Sequence, residues 1–215
     1  MNCKLCGKVP LAVNNFGRMP IANYFVKSSK PDIFMYDLRT FFCQSCCLFQ
    51  IGDHPEPTQM FNSSYPFFTG LSVRMQNHFL QTFRENFIPH KNENTFIVEI
   101  GSNDGTFLKN AAEAGLPHLG VEPSKNVANL ASKKGVKTLN AFFDLKTSEK
   151  IKNTNGHATH MFAANVICHV VDLESLFKGI KNLLSPTGKF IFEEPYLLDM
   201  INKVSYDQIY DEHIY

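Results

Sequence analysis

Short apolar runs and amphipathic stretches alternate regularly between residues 95 and 194. The apolar runs are rich in β-branched and aromatic side chains and predict strands at 96–100, 118–122, 136–139, 159–164 and 188–194. The stretches between them place apolar residues at helical spacing and predict helices near 105–114, 124–134, 144–152 and 172–184. Strands that alternate with helices in this order are typical of an α/β fold with a doubly wound parallel sheet.

A further helix is predicted in front of this region. Apolar side chains recur there at four-residue steps, and Leu80 widens the stripe; the repeating positions are Leu71, Met75, Phe79, Phe83 and Phe87. Residues 1–55 show little periodicity and hold five of the six cysteines, whereas residues 195–215 are polar and aromatic. The 20 phenylalanines of the chain are interpreted mainly as core packing.

The first predicted strand of the sheet runs into an acidic, glycine-containing loop, Glu99-Ile-Gly101-Ser-Asn103-Asp104-Gly105. A strand, a tight turn and a helix N-terminus bring backbone close to a nucleotide-like ligand. The dinucleotide fingerprint needs G-x-G-x-x-G, and Asn103 stands where its second glycine would be, so NAD is not the expected cofactor. The acid-x-Gly-x-x-x-Gly form instead resembles motif I of the class I S-adenosylmethionine (SAM) methyltransferases.

That resemblance predicts a SAM site outside the carboxyl ends of the strands. Glu122 closes the second strand 21 residues after Gly101, and its carboxylate suits the two ribose hydroxyls; a solvated acid at a strand end is the alternative. Phe142 or Phe143 is expected beside the adenine, with a core position equally open to either. Asn165, after the fourth strand, is expected to contact the methionine portion through its backbone. The loop completes the predicted cofactor set with Glu99, Gly101, Asn103, Asp104 and Gly105.

Four cysteines form two C-x-x-C pairs separated by 36 residues, Cys3-x-x-Cys6 and Cys43-x-x-Cys46. Two such pairs complete a tetrahedral Cys₄ zinc site, which leaves no open position and is therefore structural. Four unrelated thiols are the bland alternative, and a redox pair is disfavoured because neither motif begins a helix of a βαβ unit. Cys47 adjoins Cys46 and leaves the fourth ligand open between them. The isolated Cys168 is interpreted as a small buried residue.

Charge and hydropathy argue against nucleic acid and membranes as binding partners. The chain has 21 basic and 20 acidic residues, so no broad basic face for nucleic acid is expected. No run of 18 apolar residues predicts a membrane span, and the N-terminus lacks the apolar region of a signal peptide. We therefore expect a cytoplasmic protein with reduced thiols.

The tail, residues 206–213, reads Tyr-Asp-Gln-Ile-Tyr-Asp-Glu-His and concentrates acidic, phenolic and imidazole groups. A histidine beside an acid and a tyrosine suits general base chemistry, although a polar surface segment is the simpler interpretation of the tail alone. From end to end the chain resembles the sugar C-methyltransferases of deoxysugar biosynthesis. The matching segments are the cysteine pairs and residues 17–25, 65–72, 99–105, 165–170 and 206–213.

The resemblance implies SAM-dependent methylation of a nucleotide-linked 4-keto-deoxysugar at C3, through an enolate. It makes His213 the candidate base, with Tyr210 and Glu212 as its neighbours. It also assigns His169 as a second histidine facing the substrate and Tyr65 as an active-site tyrosine. Zn²⁺ is implied as a structural ion, with no catalytic metal, nucleic acid or membrane involved.

The chain departs from that family in two ways. Cys47 stands where the family usually has glycine, and the family continues into a second α/β domain that helps to hold the nucleotide-sugar. This sequence lacks that domain, and three explanations stay open: a natural short protein, a truncated gene product or a fragment of a longer chain. In the first case a partner chain could supply the second domain. The predicted division is a zinc-binding module (1–55), a linker and helix covering the active site (56–95), a SAM-binding Rossmann-like domain (96–194) and the start of a substrate-site segment (195–215).

Two other functions are compatible with the same motifs. The first is a SAM- and zinc-binding subunit that has lost catalysis and acts through a partner. The second is an rRNA methyltransferase with a zinc-ribbon leader, against which the near-neutral charge and the Tyr-Asp-Glu-His tail argue. A purely structural zinc protein would leave the Gly101 loop without a purpose.

Overall fold

The computed structural model describes residues 1–23, 25 and 33–215; Tyr24, part of the 17–25 motif, lies outside them. The described residues form two compact units. The first unit comprises Met1–Met60, Asn165–Leu173 and Glu194–Tyr215, and the second comprises Phe61–Ala164 and Glu174–Glu193.

Strands and α-helices are numbered separately, each in chain order. The strands are β1 (Leu11–Pro20), β2 (Met35–Phe42), β3 (Phe49–Ile51), β4 (Ile97–Ile100), β5 (His118–Val121), β6 (Thr138–Leu139), β7 (Ala158–Ala164) and β8 (Leu184–Glu193). The α-helices are α1 (Pro57–Met60), α2 (Val73–Asn86), α3 (Leu108–Glu113), α4 (Lys125–Lys133), α5 (Leu145–Asn155), α6 (Leu173–Leu183) and α7 (Leu197–Lys203).

The first unit contains an antiparallel sheet in the order β1-β2-β3. Strand β2 buries Tyr36 and Leu38 on one face, which is the period-two pattern of a half-buried strand. These side chains form a small core with Ile51 and Ile214, and the Ile51 N–H donates to the Ile214 carbonyl at 2.9 Å. Asp211 and Glu212 are buried as well, so the surface-segment interpretation of residues 206–213 is wrong for these two.

The second unit contains a parallel sheet in the order β6-β5-β4-β7-β8. Strand β4 lies in the middle and is buried along its whole length, as expected where helices cover both faces. The chain winds outward from β4 through β5 to β6, and then returns to add β7 and β8 on the other side. This doubly wound order confirms the predicted fold class and places the topological switch point between β4 and β7.

An aromatic core holds α2 against this sheet. Phe79, Phe83 and Phe87 of the predicted stripe are buried and pack on Phe107 and Phe162, whose ring centroids are 4.1 Å apart. The phenylalanine-rich composition thus serves core packing, as predicted.

The predicted stripe fails at its first position. Leu71 is 82% exposed, because it precedes the helix N-cap, Ser72, whose side chain accepts the Met75 N–H. The helical period therefore starts only after Leu71. Among the described residues, no helix combines the length and apolar character that a membrane crossing requires.

Candidate functional site

Four cysteine thiols of the first unit converge. Cys3, Cys6, Cys43 and Cys46 each offer a sulfur, and the four sulfurs lie within 4.8 Å of one another. The Cys3–Cys46 and Cys6–Cys43 sulfurs are 3.6 Å and 3.5 Å apart. Tetrahedral zinc with Zn–S bonds of about 2.3 Å holds its sulfurs about 3.8 Å apart. The donor set and the spacing therefore fit a structural zinc ion.

The two cysteine loops repeat one backbone geometry. In each, the N–H of the first cysteine donates to the carbonyl five residues later, at 2.7 Å in the first loop and 2.8 Å in the second. The residue four positions on, Gly7 or Cys47, donates its N–H back to that first cysteine and has a positive φ of 72° or 60°. Cys47 is exposed and lies outside the sulfur cluster. Cys46 is therefore the cysteine placed to be the fourth ligand.

The loop after β4 takes its shape from left-handed backbone. Gly101 and Gly105 have φ values of 66° and 77°, and Asn103, of a type that tolerates this region, has 46°. A Cβ on Gly105 would lie 2.9 Å from a methyl carbon of Val136. Both positions favour glycine because of their left-handed backbone. At Gly105 a side chain would also clash with Val136.

Glu122, after β5, is held by this loop. Its two carboxylate oxygens accept the N–H groups of Asn103 at 2.9 Å and Ser124 at 2.7 Å. Burial raises the pKa of the carboxyl, and these donors oppose that rise. Each carboxylate oxygen keeps a second lone pair, so the group retains the capacity to accept ribose hydroxyls.

Unlike Glu122, Glu99 in β4 has a carboxylate oxygen without a hydrogen-bond partner in the part of the chain that the structure describes. It is 3% exposed, and among the described residues its Oε2 has no hydrogen-bond partner. Burial and the negative charges of Glu122 and Asp104 raise the pKa of Glu99 well above its ordinary value. A buried carboxyl that leaves one oxygen without a partner among the described residues is a group that a polar ligand would satisfy, which fits a bound cofactor.

Asp104 and Asn103 hold a second segment of the chain. The Thr69 N–H donates to Asn103 Oδ1 at 3.0 Å, and the Gly70 N–H donates to Asp104 Oδ2 at 3.1 Å. Lys134 also donates to Asp104 Oδ2, at 2.8 Å. The loop therefore positions residues 67–70, a role that no sequence pattern signalled.

The remaining predicted cofactor residues separate into exposed and buried positions. Phe142 is 41% exposed whereas Phe143 is 8% exposed and belongs to the core, so Phe142 is the one accessible to a ligand. Asn165 is exposed, has a φ of 52° and belongs to the first unit. Tyr65 is buried in the second unit, where its carbonyl accepts the Asn126 side chain at 2.7 Å.

The first unit brings the predicted tail residues together. His213 Nδ1 lies 2.8 Å from the Gln208 carbonyl, which assigns the proton to Nδ1 and makes Nε2 the acceptor. The Tyr210 hydroxyl lies 3.2 Å from that Nε2. Burial and the neighbouring His169 lower the pKa of His213 to about 4, so the imidazole is neutral at neutral pH.

His169 and Glu212 lie beside this pair. His169 Nδ1 is 2.5 Å from the Glu212 carbonyl, and the His169 and His213 ring centroids are 5.1 Å apart. The Glu212 side chain is buried and accepts the Asn23 amide at 2.5 Å. Glu212 thus supports His169 through its backbone carbonyl.

Glu194, which the sequence analysis did not single out, organises the turn that carries His169. Its carboxylate accepts three consecutive backbone N–H groups, from Val166 at 2.9 Å, Ile167 at 2.6 Å and Cys168 at 3.3 Å. The Cys168 carbonyl in turn accepts the Ile214 N–H at 2.7 Å. An acid at the carboxyl end of a predicted strand, the rule that found Glu122, would also have pointed to Glu194.

A cavity of about 200 Å³ opens beside His213 in the first unit. Its walls are mainly apolar and include Phe49, Leu197 and Met200, while Gln208 and His213 add polar groups. The site can therefore place a partly apolar ligand next to a neutral imidazole.

Comparison with known proteins defines the class. A methyltransferase-domain family model matches residues 73–215, and a zinc binding domain model matches residues 3–61. The chain therefore belongs to the methyltransferase-domain family and carries a zinc-binding module in front of that domain. The predicted cofactors, SAM and zinc, are confirmed at this level.

A more particular likeness is to C-methyltransferase NovU of Streptomyces niveus. The two are 27% identical over 217 residues, which are 98% of this chain and 51% of NovU, so the chain spans about half the length of that relative. This match confirms the resemblance to C-methyltransferases that begin with a zinc module.

Solved structures agree on the fold. A SAM-dependent methyltransferase from Archaeoglobus fulgidus matches with a TM-score of 0.52 and 13% identity over 62% of this chain and 59% of its own. Another from Anabaena variabilis matches with a TM-score of 0.50 and 14% identity over 67% of both chains. At these identities the likeness establishes the class I methyltransferase fold alone.

Proposed function

We propose that this chain performs SAM-dependent C-methylation of a nucleotide-linked 4-keto-deoxysugar at C3, through an enolate. The observation that carries the proposal is the Gln208–His213–Tyr210 arrangement, in which a neutral imidazole with a fixed acceptor nitrogen borders a cavity. The likeness to NovU, whose name states C-methyl transfer, supports a carbon acceptor.

The cofactor-binding residues proposed here are those of the β4 and β5 edge. Glu122 would accept the ribose hydroxyls, the Gly101–Gly105 backbone would approach the ligand, and Phe142 would flank the adenine. Glu99 completes the set, while Asn103 and Asp104 act by shaping the loop. When bound, SAM supplies a methyl group on a sulfonium, which is a good leaving group.

The proton step is assigned to the first unit. A C3 hydrogen next to a C4 ketone is acidic because its carbanion delocalises into an enolate, and His213 Nε2 is the group placed to take that proton. Burial and the Glu212 charge raise the pKa of Tyr210, so its hydroxyl stays protonated and can donate to the enolate oxygen. His169, in the same unit, is the second candidate base.

The cavity favours a deoxygenated sugar. Each hydroxyl that is buried against an apolar wall without a partner costs about 1–3 kcal/mol. A wall formed by Phe49, Leu197 and Met200 therefore suits a ring that has lost hydroxyls.

The four clustered cysteines are proposed to hold zinc in a structural role.

Methyl transfer tests the proposal directly. The chain is incubated with SAM and a thymidine-diphosphate-linked 4-keto-2,6-dideoxyhexose, and NMR is expected to show a new methyl group on C3. His213→Gln should lower kcat by about 10²–10⁴-fold while the Kd for SAM stays unchanged.

A matched histidine provides the control. His54 also places Nδ1 2.9 Å from a carbonyl, that of Pro55, but has no place in the proposed chemistry, so His54→Gln should retain activity. Undiminished methyl transfer by His213→Gln would refute the base assignment. SAM binding without turnover on this sugar would instead favour the role of a non-catalytic subunit.

A further inference from the structure

A second group of metal-ligating side chains lies in the first unit, apart from the four clustered cysteines. Cys168, His169 and His213 each offer one ligand atom, and these three atoms lie within 4.8 Å of one another. The Glu212 carbonyl holds the proton on His169 Nδ1, so His169 would bind a cation through Nε2. Zinc bonds of about 2.0–2.3 Å hold ligand atoms roughly 3.3–3.8 Å apart, so the side chains would have to rotate to complete the site.

The surroundings of the two imidazoles match those of metal ligands. The Glu212 and Gln208 carbonyls accept hydrogen bonds from the His169 and His213 rings and thereby fix the ring orientations. Metal-bound histidines commonly donate their other ring N–H to a backbone carbonyl in this way, which also makes the ligand nitrogen more basic.

The local charge also favours a cation. The Glu194 carboxylate accepts the Cys168 N–H at 3.3 Å and so lies beside this group. A carboxylate in that position stabilises a divalent cation, which would compensate the Cys168 thiolate when it forms. Since a proton must be displaced, this site should bind more weakly than the four-cysteine cluster.

We propose that Cys168, His169 and His213 form a second, exchangeable site for a zinc-like divalent cation. A thiolate with two imidazoles is a donor set that zinc and cobalt accept, and three protein ligands leave a fourth position open. A cation bound there occupies the lone pair of His213. Because His213 is the proposed base, such a cation would inhibit methyl transfer reversibly. This inhibition rests on the proposed function, whereas the metal site itself does not depend on it.

Cobalt provides a spectroscopic probe that does not depend on turnover. The protein is first loaded with one equivalent of Zn²⁺ to fill the four-cysteine site, and Co²⁺ is then titrated in. We expect one further equivalent to bind with visible d–d bands and a thiolate-to-cobalt charge-transfer band. Cys168→Ala should lose the charge-transfer band, and His213→Gln should lose most of the binding, with thermal unfolding used to verify that both variants are folded.

Cys47→Ala is the matched control, because Cys47 is an exposed thiol outside both groups of ligands. It should leave the second equivalent intact. No second equivalent, a charge-transfer band that survives Cys168→Ala, or one that disappears in Cys47→Ala would overturn the site. If the second equivalent binds as expected but the enzyme with zinc in the four-cysteine site alone transfers no methyl group, the site stands and the proposed function fails.

Discussion

The backbone conformation of Cys47 explains why the resembling family usually has glycine at this position. It has the positive φ and the hydrogen bond that Gly7 has in the first cysteine loop. A left-handed L-residue costs about 1–2 kcal/mol, and glycine avoids this strain at the expense of greater unfolded-state entropy. We expect Cys47→Gly to raise the free energy of unfolding by roughly 0.5–1 kcal/mol, measured by denaturant titration of the zinc-loaded protein.

The first loop supplies the reciprocal change. Gly7→Ala should lower the free energy of unfolding, because it creates at Gly7, with its φ of 72°, the strain that Cys47→Gly removes. Equal stability of Cys47→Gly and the unmodified chain would contradict the equivalence of the two loops.

His213 gives a prediction for pH. Its pKa is about 4 in the folded protein against an ordinary value of 6.5, so between these values the unfolded chain binds more protons. The free energy of unfolding should therefore fall as the pH is lowered from 6.5 to 4. His213→Gln should flatten that slope and His54→Gln should preserve it, as followed by denaturant unfolding at each pH.

The sequence predicted the single residues whose chemistry follows from a local rule. Glu122 follows a strand and a glycine loop, and the cysteines occur as pairs. The partners of these residues were not predictable, because Asn126 and Lys134 have no local feature that distinguishes them from surface residues. Their contacts, to the Tyr65 carbonyl and to Asp104, arise only when α4 and the residue after it are packed beside Tyr65 and the β4 loop.

At the scale of elements, the turn over residues 166–168 depends on Glu194. Hydrogen bonds to a charged acceptor contribute about 1.5–3 kcal/mol each, and this carboxylate accepts three N–H groups. Glu194→Ala should therefore lower kcat by displacing His169 while the Kd for SAM is unchanged, as measured by calorimetry and turnover.

The neighbouring residue is the control for that change. Glu193 pairs with His78, and both side chains are about 40% exposed, so Glu193→Ala should cost at most about 1 kcal/mol of stability. Retention of full turnover by Glu194→Ala would show that the turn is held without its carboxylate.

Elements with a strong period were predicted, and those without one were missed. The parallel strands are short apolar runs, and all five were found within a few residues of their observed bounds. Strand β1 has almost no buried side chain, so no alternation of apolar and polar positions marked it. The sheet of the first unit draws its core from distant segments, Tyr36 and Ile214 among them, which no window along the chain brings together.

At the scale of the whole molecule, the proposed zinc ligands lie in the first compact unit, whereas Glu122 and the residues that hold it lie in the second. Removing zinc with a chelator should unfold the small sheet, whose core is slight, and should abolish methyl transfer. SAM binding, followed by calorimetry, should persist, and its complete loss on chelation would contradict this separation.

His213 is proposed to remove a proton from C3 next to a ketone. Proton exchange in D₂O tests this step most directly, on the thymidine-diphosphate-linked 4-keto-2,6-dideoxyhexose, with S-adenosylhomocysteine in place of SAM so that no methyl group can be transferred. We expect the chain to exchange the C3 hydrogen for deuterium, seen by NMR, and His213→Gln not to do so. Exchange that proceeds equally fast with His213→Gln would show that another group takes the proton.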